Sequence, residues 1–277
     1  DGLQFSPTPS NNMVYFGAAR ATVTAATSSS LTVTVPTGAT FAPITVAVGG
    51  SIAYSQSPFV VSFPDGGVIN SCSFSAPTTY SSGNFGFGLT TADLDLDGKV
   101  DIVISNPTAG TLMIFRNTST TGVLDATSFA ASVDLPASSS VQHVVASDVD
   151  GDGKLDLVSA GYDGNVISIF RNIATPGNLT AASFEARVDL ATGARPFDME
   201  AVDLDGDGRT DIVASTEGRL SLWRNIGVGG SISTGSFDTR QDIFINSISV
   251  AVSDLDVDGK PDLVIGPALG SVARIYR

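Results

Sequence analysis

In two stretches near the N-terminus, apolar residues recur at every second position. Leu31, Val33 and Val35 alternate with Thr32 and Thr34, and Ile44, Val46 and Val48 follow. A period of two is that of a strand with one buried face, and Pro- and Gly-bearing turns separate the runs. Residues 1–63 are therefore predicted to be a small β-sandwich. "PDGGVINSC", residues 64–72, reads as a linker with Gly66-Gly67 as its hinge. Beyond it the pattern changes to short β-branched runs, "VDIVIS", "LDLVSA", "TDIVAS" and "PDLVIG". After a Gly-containing turn comes a further run such as "TLMIFRN" or "VISIFRN". No useful length of chain shows helical spacing, so the fold class is all-β.

These runs belong to a repeat. The pair Ser-Phe recurs at Phe74, Phe129, Phe184 and Phe237, at intervals of 55, 55 and 53 residues. Aspartate clusters begin at Asp93, Asp148, Asp203 and Asp254, and "IFRN", "IFRN", "LWRN" and "IYR" close the copies. Three markers in constant order define four units, 73–127, 128–182, 183–235 and 236–277. Each unit, about 55 residues long, holds about four short strands, and four antiparallel strands per repeat make a β-propeller-type blade.

Charge sharpens the picture. The chain has 28 acidic and 14 basic residues in 277, but sixteen of the acids sit in the four clusters, so the twelve left are matched by the bases. The acidity is local and calls for a cation at those places. No basic patch exists to neutralise phosphates, so a nucleic-acid partner is not expected. No run approaches the roughly 18 apolar residues of a membrane span, so no membrane insertion is expected. The three lysines all lie in the clusters, and Ser, Thr, Gly and Val dominate elsewhere. That composition suits an extracellular or cell-surface β-protein. The sequence opens directly on "DGLQFSPTPS" with no signal peptide visible, so for a secreted protein the signal is expected upstream of it. Cys72 is alone and reads as a small filler.

Aligned on their first aspartate, the clusters read "DLDLDGKVD", "DVDGDGKLD", "DLDGDGRTD" and "DLDVDGKPD". Asp holds position 1 (Asp93, Asp148, Asp203, Asp254) and position 3 (Asp95, Asp150, Asp205, Asp256). It also holds position 5 (Asp97, Asp152, Asp207, Asp258) and position 9 (Asp101, Asp156, Asp211, Asp262). One acidic run alone is usually a solvated face. Four in-phase copies of one spacing point instead to a bound cation. Ca²⁺ takes about six to eight oxygen ligands from a flexible loop, whereas Mg²⁺ keeps several waters. Gly98, Gly153, Gly208 and Gly259 at position 6 permit a sharp turn that aims the position-7 carbonyl inward. Lys99, Lys154, Arg209 and Lys260 are thus expected to ligate by backbone carbonyl while their side chains point into water. Four Ca²⁺ sites are expected. An EF-hand is excluded, because position 12 is Ile104, Ser159, Ala214 or Ile265 and the flanks are strands.

The D-x-D-x-D-G-x-x-D loops, the "SF" openings, the "FRN" closings and "FGFG" at 85–88 resemble FG-GAP/VCBS-type repeats, relatives of the integrin-alpha propeller blades. The resemblance covers about residues 73–277. It implies Ca²⁺ in a structural role and a propeller that commonly has seven blades, against four units here. "NNMVYFGAARATVTAATSSSLTVTVP", "ITVAVGG" and "SPFVVSF" are similar to an IPT/TIG domain without its usual opening strands, which implies that residues 1–63 are a small immunoglobulin-like sandwich. Both ends are read as cut, so that either the chain is a fragment or a neighbouring molecule supplies the missing strand and subunits self-assemble.

No catalytic constellation is visible. His143, the only histidine, lies between valines and reads as a structural hydrogen-bonding residue; Glu185, Glu200 and Glu217 have no spacing that recommends acid–base work. The chain is expected not to be an enzyme. The leading expectation is a Ca²⁺-stabilised adhesive or structural repeat protein, a subunit or fragment of a surface fibre, with other protein subunits or surface glycans as partners. The alternative is a lectin-like carbohydrate-binding module attached to a secreted polysaccharide-degrading enzyme, against which the aromatic content of 8% weighs.

Overall fold

The computed structural model describes residues 2–36, 38–40, 42–61, 76–83, 86–267 and 272–277. The linker at 64–72 with its Gly66-Gly67 hinge, Cys72, Phe74 and Phe85 lie outside the described residues. The N-terminal part holds five strands: β1 (Asn12–Phe16), β2 (Ala19–Ala26), β3 (Leu31–Thr34), β4 (Ala42–Val48) and β5 (Ser51–Phe59). They pair antiparallel in the order β3-β2-β1-β4-β5. Val14, Phe16 and Ala21 form the core, with Leu31, Val33, Ile44 and Val46 packed against them. A register shift between Val23 and Ala25 marks a bulge in β2, and Phe16 meets Phe59 edge to face at 4.7 Å.

The rest forms four successive antiparallel sheets. The first is β6 (Leu89–Ala92), β7 (Asp101–Asn106), β8 (Thr111–Phe115) and β9 (Val133–Pro136). The second is β10 (Val141–Ser147), β11 (Asp156–Gly161), β12 (Val166–Phe170) and β13 (Val188–Ala191). The third is β14 (Pro196–Val202), β15 (Asp211–Thr216), β16 (Arg219–Trp223) and β17 (Gln241–Ile243). The fourth, among the described residues, has three strands: β18 (Ser247–Ser253), β19 (Asp262–Pro267) and β20 (Arg274–Tyr276). The architecture is all-β, an immunoglobulin-like domain followed by propeller-type blades.

The sequence repeat and the sheet are out of phase by one strand. The strand after each Ser-Phe pairs with the third strand of the preceding sheet, as β9 does with β8 and β13 with β12. Neighbouring repeats are thereby interlocked. The cores lie between sheets: Leu94, Val103, Leu112 and Ile114 of the first pack with Val144, Leu157 and Phe170 of the second. Burying each such Leu or Ile contributes about 1.5–3 kcal/mol. Trp223 is buried in the equivalent core between the second and third sheets. Gly88 lies against the backbone of β10, where a Cβ would come within 2.7 Å of the Gln142 carbonyl oxygen. The first strands β6, β10, β14 and β18 pack side by side.

Candidate metal centres

Each acidic loop joins the first strand of a sheet to the second, and position 9 opens that second strand. Position 9 is buried in all four copies. One of its oxygens accepts the position-2 N–H, from Leu94, Val149 and Leu204 at 3.0 Å and Leu255 at 2.8 Å. The other accepts the N–H of the Asn after strand three, from Asn117 at 2.8 Å and from Asn172 and Asn225 at 2.7 Å. The position-1 carboxylate accepts the N–H of the position-6 glycine, at 3.1 Å from Gly98 and 2.9 Å from Gly153. Gly208 donates likewise at 2.8 Å and Gly259 at 2.9 Å. That glycine has φ of +84 to +85° in every copy, a conformation costly for residues with a Cβ.

Positions 1, 3 and 9 converge. In all four copies one oxygen from each lies within 4.8 Å of the others. Oxygens bound at about 2.3–2.6 Å to one Ca²⁺ lie at most ~5 Å apart, so the spacing suits that ion. Asp95 Oδ1 and Asp148 Oδ1 are buried without a hydrogen-bond partner, a costly state for a carboxylate. Burial, backed by the neighbouring aspartates, lifts Asp93 to about 6 and Asp101 and Asp148 to about 7. The same cause pushes Asp156 well above the usual carboxylate range and raises Asp211. Each copy sets four aspartates against two cationic residues, the one at position 7 and the Arg after strand three, which leaves a net −2. All-oxygen donors, unpartnered buried oxygens and a double negative charge fit a hard divalent cation.

Position 5 stands apart from the converging set. Asp97, Asp152, Asp207 and Asp258 accept the position-7 N–H of Lys99, Lys154, Arg209 and Lys260 at 2.9–3.0 Å. In the first three copies the second oxygen takes Nη2 of the Arg after strand three: Arg116 at 2.8 Å, Arg171 at 2.9 Å and Arg224 at 2.8 Å. Nε of the same guanidinium pairs with position 3, on Asp95, Asp150 or Asp205. Arg277 pairs with Asp256 in the fourth copy. The arginine of "FRN", which served in the sequence only as a landmark, is therefore an internal counter-ion of the loop. Its signal was a fixed distance, 23 residues after position 1 in three copies and 21 in the third. Arg209 corrects one expectation: its side chain folds onto Asp207 at 2.5 Å and the Asn225 carbonyl at 2.9 Å, not into water.

The loops are also joints between repeats. Asn172 Nδ2 donates to the Leu94 carbonyl of the preceding loop at 2.8 Å, and Asn225 Nδ2 to that of Val149 at 2.8 Å. Gly177 N–H reaches the Asp95 carbonyl at 2.9 Å and Gly230 N–H the Asp150 carbonyl at 3.1 Å. Positions 1, 3 and 9 are accordingly all buried in the first two loops, whereas positions 1 and 3 are half-buried or exposed in the last two. The N-terminal sheet rests on the first three loops: Asp93 N–H donates to the Ala18 carbonyl at 3.2 Å and Ile52 N–H to that of Gly208 at 2.9 Å. Tyr15 Oη donates to the Gly153 carbonyl at 2.5 Å. His143, away from the loops, places Nε2 3.3 Å from Asp198 Oδ1.

A family model for the FG-GAP-like repeat matches three overlapping stretches, 93–159, 148–214 and 203–265, which together span more than half of the chain. An IPT/TIG domain model matches residues 1–61. No curated protein matches the chain. Among solved structures, one of BBS1N in complex with ARL6DN, soaked with mercury, aligns at 16% identity over 65% of this chain and 47% of that one, with a TM-score of 0.42. The same complex soaked with lead gives 16% identity, 66% and 51% coverage and a TM-score of 0.44. The chain thus spans about half the length of these two. A lectin of Agrocybe aegerita, described as recognising non-reducing terminal N-acetylglucosamine, aligns at 13% identity over 95% of this chain and 89% of that one, TM-score 0.36.

Proposed function

The chain belongs to the FG-GAP-like repeat family, with an IPT/TIG domain ahead of its repeats, and on that footing we propose that it is a non-enzymatic extracellular module. Its blades are clamped by Ca²⁺ and serve adhesion or the joining of protein subunits at a cell surface. FG-GAP and TIG domains are typical of extracellular proteins. No described helix is long and apolar enough to cross a membrane.

The observation that carries this reading is the convergence of three aspartates in each of four copies. Asp93, Asp95 and Asp101, with their counterparts in the other loops, would hold the ion. Of the further oxygens expected from the sequence, the position-7 carbonyl would add to the set, while position 5 is engaged by its own loop N–H and, in the first three copies, by the arginine. Bound there, Ca²⁺ supplies charge neutralisation and nothing catalytic. The chain's own groups set the cradle: glycine N–H groups hold position 1, the Asn and position-2 N–H groups hold position 9, and Arg keeps positions 3 and 5 in place.

Melting in calcium and in EGTA tests the proposal. Extracellular modules bind Ca²⁺ with Kd on the order of 10⁻⁴ to 10⁻³ M. An ion at ten to a hundred times Kd then stabilises the folded state by about 1.4–2.7 kcal/mol per site. For a chain of this size that is a rise of roughly 3–11 °C in Tm per site in about 10 mM Ca²⁺. A melting curve that does not move between calcium and excess EGTA overturns the reading.

A further inference from the structure

A cavity of about 340 Å³ lies between the N-terminal sheet and the blades. Tyr15, Thr45 and Tyr54 line it from the sheet, and the first strand of every blade contributes a wall: Thr91, Ser147, Glu200 and Val252 among them. Its size falls within the roughly 300–1,000 Å³ of small-ligand sites. Glu200 is half-buried there and takes no hydrogen bond or ion pair from a described residue. Three residues ahead of the first aspartate, the other copies carry Thr90, Val145 and Ala251 where this one carries Glu200. Blade packing therefore does not require an acid at that place. No Lys, Arg or His lines the cavity among the described residues. Burial, followed by the charge of Asp198, lifts the Glu200 carboxyl to about 7.

We propose that this cavity binds a small organic cation, its ammonium group against the Glu200 carboxylate and the rest of the molecule toward the tyrosine-lined wall. An anion would meet the negative charge of Glu200, and a neutral apolar molecule would strip water from that carboxylate and give nothing back. An ammonium ion makes a charge-assisted hydrogen bond to the carboxylate and is attracted by aromatic faces. The alkyl part matches Ala47, Ala201 and Val252 in the lining. A hard metal ion, by contrast, favours several converging carboxylates, and Glu200 belongs to none of the converging acidic groups among the described residues. Tyr54 is 46% exposed, so the cavity opens to solvent at its edge.

The proposal goes beyond the calcium reading and is separable from it, because Glu200 is not one of the loop aspartates. The test uses the full chain in saturating Ca²⁺, so that ions and not amines fill the loops. Butylammonium is titrated by calorimetry and by NMR of the tyrosine rings, with butyrate and 1-butanol as charge-reversed and neutral controls. The wild type is expected to bind butylammonium and neither control, with affinity falling about tenfold or more in Glu200→Ala and Glu200→Gln. Both variants are expected to melt at or above the wild-type temperature, since an unpartnered carboxylate has been removed. Equal binding to wild type and Glu200→Ala, equal binding of 1-butanol or butyrate, binding seen only when Ca²⁺ is withdrawn, or no binding to the wild type would each overturn the proposal.

Discussion

Replacing Asn172 by Ala isolates the bond that joins one repeat to the next. The Asn172 side chain is fully buried and makes three hydrogen bonds. Nδ2 donates to the Leu94 carbonyl at 2.8 Å and the Leu155 carbonyl at 3.0 Å, and Oδ1 accepts the Ala174 N–H at 2.8 Å. Truncation leaves two carbonyls and one N–H buried without those partners, at about 1–3 kcal/mol for each group that water does not reach. With partial rescue by water the expected loss is about 3–5 kcal/mol. Asn117→Ala is the internal control. Its amide makes the same local pair, to the Val100 carbonyl and from the Ser119 N–H, both at 2.9 Å, but it is half-buried and reaches no earlier loop among the described residues. Its expected cost is about 1–2 kcal/mol, and the difference of about 2 kcal/mol belongs to the joint. Urea unfolding at fixed calcium measures both variants, with Asn225→Ala as a repeat of the first. Asn172→Asp should cost at least as much as Asn172→Ala, because it turns an acceptor toward two carbonyls. Equal losses for Asn172→Ala and Asn117→Ala would refute the reasoning.

Asp148→Asn should remove one of the bound Ca²⁺ ions counted by native mass spectrometry, whereas Asp152→Asn should keep the wild-type count, because Asp152 lies outside the converging set and is held by Lys154 N–H and Arg171. Loss of an ion in Asp152→Asn, or none in Asp148→Asn, would contradict that division. In EGTA the folded chain takes up protons at Asp93 near 6 and at Asp101 and Asp148 near 7, before the unfolded chain does so near 3.8. A raised carboxylate penalises the fold above its folded pKa, so Tm in EGTA should rise as pH falls from 8 to 5. In calcium, protons compete with the ion and the added stability should shrink over the same window. A Tm in EGTA that drops between pH 7.5 and 5.5 sinks this argument. Gly259→Ala meets open space but must adopt φ of +85°, so it should cost about 1–2 kcal/mol from backbone conformation alone; a neutral result in urea unfolding would show that the loop relaxes.

The strands after the acidic clusters were legible because their β-branched runs are long enough to show a pattern, and β7, β11, β15 and β19 lie there. The outer strands were harder. "VDLP", "VDLA" and "QDI" run for only three or four residues, and contacts such as Ser168 Oγ to Asp189 Oδ1 at 2.6 Å help to hold them to the sheet. Such pairs join residues about twenty positions apart and leave no periodic trace. Val35 continued the alternation of Leu31 and Val33 yet lies beyond β3 and is 46% exposed, because Pro36 follows and the chain turns. In the loops, spacing alone could not say which alternate carboxylates face one point. Position 5 turns to its own loop backbone and to an arginine two strands away. The Asn of "FRN" was visible as a marker, but its partner carbonyl belongs to another sheet.

Mutual repulsion of aspartates and the joining of repeats meet in single residues. The Leu94 N–H holds Asp101 in the first loop while its carbonyl receives Asn172 from the second repeat. Val149 does the same between Asp156 and Asn225. A loop pushed open by its own charge would therefore displace the anchor of the next repeat as well as its own strands. An ion that closes the loop steadies both. Stability in such a chain is a sum of repeat terms and nearest-neighbour terms, and a cation bound in these loops would enter both kinds of term at once. Four weakly held ions would otherwise act as four local patches. Linked through Asn172 and Asn225, the first three loops would instead respond together. Among the described residues no such bond reaches the fourth loop, whose positions 1 and 3 are exposed.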